Sequence, residues 1–87
     1  MYVILVYDIQ ESRVNKINKY LKRYLFWIQN SVFEGEITDA QYEILINKIK
    51  DMIDDSEDSV IIYKIRSEKI ISKEIIGVEK SPTDNII

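Results

Sequence analysis

The sequence predicts an α+β domain in which four short strands alternate with two helices and a further C-terminal strand is added. Three observations carry this. The first nine residues, MYVILVYDI, are almost continuously apolar. Two later segments place apolar residues at helical spacing, and each is followed by a run of β-favouring residues.

Met1 to Ile9 is rich in Val, Ile and Tyr, as in a strand covered on both faces, and Asp8 marks its carboxyl end. Ser12 is a candidate helix cap, after which Val14, Ile17, Leu21 and Leu25 fall at +3, +7 and +11, one amphipathic stripe. Trp27 to Ile37 returns to β-favouring residues, but Gln29-Asn30-Ser31 interrupts them, so a kink or two short strands is expected. Thr38 or Asp39 can cap a second helix. Its buried face is Tyr42, Leu45, Ile46, Ile49, Met52 and Ile53, at +3, +4, +7, +10 and +11. Residues 54–58 form an acidic loop, and Ser59 to Ile65 is another strand.

The order β-α-β(β)-α-β is a split βαβ repeated. Right-handed crossovers then give an antiparallel sheet with both helices on one face, a ferredoxin-like plait. Residues 1–66 make this domain. Residues 67–87 form an extension whose two apolar pieces, separated at Pro82, are candidates to add a strand to a sheet edge of the same or a neighbouring subunit.

Composition narrows the chemistry. With 87 residues the core is thin, and oligomerisation is the expected source of extra buried surface. The chain has no Cys and no His, which removes thiol nucleophiles, imidazole bases and ordinary zinc sites. Two glycines do not make a phosphate-cradling loop. Catalysis would rest on carboxylates, hydroxyls, Lys/Arg and a hard, oxygen-seeking metal ion. No segment reaches the ~18 apolar residues of a membrane helix, and the N-terminus lacks a basic leader, so a soluble, cytoplasmic protein is expected.

The net charge of −3 conceals a sharp division: −2 over residues 1–11, +5 over 12–33, −7 over 34–58 and +1 over 59–87. The positive block is Arg13, Lys16, Lys19, Lys22 and Arg23, on the side of the first helix away from its apolar stripe. A charge run is commonly no more than a solvated face. This one lacks Glu–Lys pairs at helical spacing, which favours a ridge that contacts phosphates, with Lys48, Lys50, Lys64 and Arg66 as candidate extensions.

Asp8 is the one carboxylate in an unusual place. It could simply mark the strand end or cap the next helix. Magnesium takes one or two carboxylates plus substrate oxygens and water, and only Glu11 lies near Asp8 in sequence. A two-fold dimer would bring two Asp8 residues to one axis, where a cation relieves their repulsion.

Four motifs in order, VYDI at 6–9, the basic helix beginning with Arg13, QNSVFEGEI at 29–37 and EDSVIIYKI at 57–65, are similar to the CRISPR-associated protein 2 family. The resemblance implies a ferredoxin-like homodimer whose C-terminal strands pack across onto the partner. It implies a part in acquiring CRISPR spacers, the dimer bridging two dimers of the CRISPR-associated protein 1 integrase and supporting the DNA duplex. It also implies a magnesium-dependent endonuclease, other divalent cations being possible, that cuts single-stranded RNA or double-stranded DNA. Asp8 matches the family's catalytic metal ligand, Arg13 its basic helix start, and Ser31 and Phe33 the segment near the active cleft. Where the family often has several Arg residues after the Asp, this chain has Gln10-Glu11-Ser12 and then Arg13. Two further readings remain beside the nuclease: a non-catalytic DNA-binding scaffold of the integration complex, and a toxin-type ribonuclease with a related plait.

Overall fold

A computed structural model describes residues 1–81. The elements are β1 (Tyr2–Asp8), α1 (Glu11–Leu21), β2 (Phe26–Gln29), β3 (Val32–Glu36), α2 (Asp39–Met52) and β4 (Ser59–Ile65). The strands form one sheet in the order β2-β3-β1-β4, and every neighbouring pair is antiparallel. α1 connects the parallel strands β1 and β2 across β3, and α2 connects β3 and β4 across β1. Right-handedness of both crossovers puts both helices on one face. This is the expected ferredoxin-like plait.

Side chains of β1 alternate strictly. Val3, Leu5 and Tyr7 are buried against the helices, where they meet Ile17 and Leu21 of α1, Leu45 and Ile49 of α2, and Phe33 of β3. Burial of side chains this size stabilises the fold by roughly 1.5–3 kcal/mol each. Tyr2, Ile4, Val6 and Asp8 take the other face. Register places Ile4 between Glu34 and Tyr63, Val6 between Val32 and Ile61, and Asp8 opposite Ser59. Along β4 that face is apolar and open: Ile61 and Tyr63 are 50% and 57% exposed.

Local chemistry fixes the boundaries. α2 begins in a capping box: Thr38 Oγ1 accepts from the Gln41 N–H at 3.1 Å, and Gln41 Oε1 accepts from the Thr38 N–H at 2.9 Å. α1 starts differently from expectation. Gln10, not Ser12, is its N-cap, with no side-chain cap bond; Asp58, directly before the neighbouring strand β4, secures this end instead. The apolar stripe of α1 runs past its last turn, because the Leu25 N–H still bonds to the Leu21 carbonyl at 2.9 Å and draws Leu25 inward. At Gly35 a Cβ would stand 3.2 Å from Leu25 Cδ2, a tight contact, so β3 packs closely against this turn. The interruption at Gln29-Asn30-Ser31 resolves into a hairpin, with Asn30 in the left-handed region at φ 39°.

Among the described residues 67–81 there is a 3-10 turn, Glu68–Ile70, but no added strand. Lys73 reaches Glu34 Oε2 at 2.5 Å. Because Glu34 pairs with Ile4 on the face away from the helices, this contact holds the segment on that face, and its later residues line a small pocket with Ile28 and Gln29 of β2. Ile70, Ile76 and Val78 stay largely exposed. The last apolar pair, Ile86-Ile87, lies outside the described residues.

Candidate nucleic-acid interface and strand-end carboxylate

Asp8 is the last residue of β1 and is exposed. Its carboxylate has no hydrogen-bond or ion-pair partner among the described residues. The backbone on either side of it, by contrast, is held. The Tyr7 N–H donates to the Ser31 carbonyl at 3.0 Å, and the Gln10 N–H donates to Asp58 Oδ1 at 2.9 Å. Tyr7 itself is buried, stacked on Phe33 with ring centroids 6.2 Å apart. Its hydroxyl accepts from Asn18 Nδ2 at 2.8 Å. Burial pushes the Tyr7 phenol above its ordinary range, against the smaller opposing effect of Asn18. A free carboxylate therefore sits on a fixed strand end.

A hard cation suits that oxygen chemistry and calls for further oxygen ligands beside Asp8. No group of three or more acidic side chains capable of holding a metal occurs among the described residues. Asp8 fits a metal only as half of a site completed by another chain or by substrate oxygens.

The basic residues separate into two kinds. Lys16, Lys19, Lys22 and Arg23 are exposed, although the Arg23 guanidinium lies 5.7 Å over the Tyr20 ring. Arg13 is occupied. Its Nε donates to Asp58 Oδ2 at 2.6 Å and its Nη2 to Asp58 Oδ1 at 3.0 Å and Glu57 Oε1 at 2.9 Å. Arg13 thus ties α1 to the acidic loop instead of standing free for phosphate. Lys48 lines a cleft between the helices with Ser12, Arg13, Lys16, Asp51 and Met52, which extends the ridge toward α2. Lys64 instead covers the Tyr42 ring, 5.0 Å from its centroid.

Asp58 is the residue the sequence reading missed. It is buried, and besides Arg13 and Gln10 it accepts from the Asp54 N–H at 2.9 Å. The Arg13 guanidinium holds its carboxyl well below the usual carboxylate range, and Asp58 in turn raises Arg13. No local signal marks it: Asp58 directly precedes Ser59, and only the β1–β4 register sets Ser59 opposite Asp8.

Phe33 requires a correction. It pairs with Leu5 on the helix side and is completely buried, so its ring belongs to the core and not to a cleft. Ser31 is half-buried in the β2–β3 turn and meets the Asp8 end of β1 through its carbonyl.

The family model for CRISPR associated protein Cas2 matches residues 1–72. The chain belongs to the Cas2 family. It is 53% identical over 87 residues to the CRISPR-associated endoribonuclease Cas2 of Methanocaldococcus jannaschii, covering all of this chain and 76% of that one. It is 51% identical to the protein of the same name from Thermococcus kodakarensis, with both chains fully covered. A solved Cas2 crystal structure superposes with a TM-score of 0.85 at 48% identity, covering 94% of this chain and 92% of that one. Streptococcus pyogenes Cas2 superposes with a TM-score of 0.74 at 26% identity, covering 88% and 100%. The plait is thus the Cas2 fold. No helix among the described residues is long and apolar enough to cross a membrane.

Proposed function

We propose that this Cas2 chain is a metal-dependent endoribonuclease that works as a homodimer, with Asp8 of each subunit at a shared two-fold axis. The observation that carries this is the position of Asp8: exposed, unpartnered among the described residues, and on the same sheet face as Val6, Ile61 and Tyr63. An apolar face of this kind favours burial against a second copy. A two-fold pairing through it brings the two Asp8 strand ends together. Relatives in this family carry the name endoribonuclease, which supports RNA as substrate, with duplex DNA as the alternative.

When bound, magnesium would supply the positive charge that polarises a phosphodiester and acidifies water. The chain's own residues do the rest. Asp8 offers hard oxygen ligands, and the fixed backbone at Tyr7 and Gln10 holds them in place. Lys16 and Lys19 neutralise flanking phosphates.

The deciding measurement is cleavage of single-stranded RNA by Asp8→Asn, with magnesium and with chelator. Because Asp8 is exposed, the variant should keep the wild-type melting temperature while losing about 100-fold or more in rate. Cleavage equal to wild type would overturn the proposal.

A second reading rests on the ridge of Lys16, Lys19 and Lys22, which has no ion-pair partners among the described residues. In this reading the dimer holds duplex DNA for the CRISPR-associated protein 1 integrase during spacer acquisition, without cutting it.

A further inference from the structure

Between α1 and the β2–β3 turn lies an open groove of about 600 Å³, lined by Asn15, Asn18, Lys19, Lys22, Trp27 and Asn30. Its lining holds two cations, three amides and an indole, and no acid. In a chain of net charge −3, that is a selective composition. We propose that this groove binds a stretch of single-stranded RNA, with an unstacked base against Trp27 and its flanking phosphates on Lys19 and Lys22. The proposal extends the nuclease reading only in giving the strand a path to Asp8; the groove itself stands apart from it.

The ring is already set for stacking. The Trp27 N–H donates to the Asn30 carbonyl at 3.0 Å, which fixes the plane of the half-buried indole. Asn30 holds this geometry in the left-handed region, where Asn is among the few residues accepted. Asn18 donates Nδ2 to the Tyr7 hydroxyl, so its amide is also held in one orientation and its Oδ1 is left as an acceptor. Fixed aromatic and amide groups cost little ordering entropy on binding. The groove volume lies within the ~300–1,000 Å³ typical of small-ligand sites.

The same groups argue against a duplex. Aromatic faces and amide edges recognise bases that are unstacked and unpaired, whereas a duplex presents mainly phosphates. The route onward also fits a flexible strand. Residues Asn30 and Ser31 form the turn at one end of the groove, and the Ser31 carbonyl is bonded to the N–H of Tyr7, the neighbour of Asp8. A strand that leaves the groove over this turn arrives at the end of β1.

Trp27 is the chain's single tryptophan, so its emission reports on this groove alone. The test uses the full chain carrying Asp8→Asn, in chelator, titrated with fluorescein-labelled octauridylate and, separately, with a blunt RNA duplex of equal length. Single-stranded RNA should quench Trp27 saturably, in step with the rise in anisotropy, and the duplex should leave the emission unchanged. Lys19→Glu combined with Lys22→Glu should weaken octauridylate binding at least tenfold, and Trp27→Ala should weaken it several-fold by anisotropy. Both lysines are exposed, so a retained melting temperature verifies that the variant is folded. Bound RNA with silent Trp27, equal quenching by duplex, or no binding at all would each overturn the proposal. Cleavage by the wild-type chain with a silent Trp27 removes the groove and leaves the nuclease. Quenching without any cleavage removes the nuclease and leaves the groove.

Discussion

Arg13 and Asp58, 45 residues apart in sequence, meet through two hydrogen bonds of 2.6 and 3.0 Å that lock the first turn of α1 to the residue before β4. Asp58 also accepts from the backbone of Gln10 and Asp54. One carboxylate therefore closes the start of α1, the end of the acidic loop and the approach to Asp8.

Loss of that carboxylate should be felt as stability. Asp58→Ala strands two backbone N–H donors and the guanidinium together, and should lower the melting temperature by on the order of 10 °C. Asp58→Asn, which keeps an acceptor oxygen, should lose less. In a double-mutant cycle with Arg13→Ala the two changes should be strongly non-additive. Equal melting of Asp58→Ala and wild type would contradict the assignment.

The same pair sets an acid limit. Arg13 depresses the folded-state pKa of Asp58 below its ordinary 3.8, and Ser56 depresses that of Asp54 in the same direction. Folding thus favours the ionised carboxylates. Their contribution is complete above the ordinary value and is lost as pH falls through it toward the folded value. Urea midpoints measured from pH 7 downward should hold steady until about pH 4–5 and then decline. In Asp58→Asn the decline should be shallower. An acid slope unchanged by the substitution would assign it to other carboxylates.

The proposed dimerisation through the open sheet face makes a separate prediction. Ile61→Glu places a charge on that face while removing a side chain that is already half exposed. Sedimentation should change from dimer to monomer with little loss of secondary structure. RNA cleavage should fall with it, because Asp8 no longer meets its counterpart. A variant that remains dimeric would move the interface elsewhere.

Lys16→Glu with Lys19→Glu should weaken binding to duplex DNA and reduce the salt slope of log K by about one per lysine removed. Thermal stability should be unchanged, in contrast to Arg13→Ala. Unaltered DNA affinity would dismiss the duplex-holding reading of the ridge.

Much of the fold could be read from local pattern. The apolar run of β1, the helical spacing of Tyr42 to Ile53 and the Thr38 cap each report on their own neighbourhood, and each formed as expected. Register could not be read. Val32 and Phe33 are adjacent and both apolar, so nothing local says which faces the helices; pairing with Leu5 decides that Phe33 does. The Arg13–Asp58 contact exists only once β4 is aligned on β1. Arg13 consequently looked like one more cation of the ridge. Asp8 was conspicuous because an acid at the end of an apolar strand needs no register to be noticed. In the tail, Ile and Val favour a strand, but strand propensity needs a ladder partner, and residues 71–81 of the single chain are irregular.

The sheet order also has a consequence for biosynthesis. Of the four strands of this sheet β1 is made before the others, yet it lies in the interior, paired from Tyr2↔Ile65 to Asp8↔Ser59 with β4, the last of the four. On the ribosome, one edge of an apolar N-terminal strand waits unpaired until nearly the whole domain has emerged. Sheet closure is then a late, long-range event, slowed by the entropy of closing a long loop. During that interval the exposed edge of β1 is the segment most open to pairing with another nascent chain.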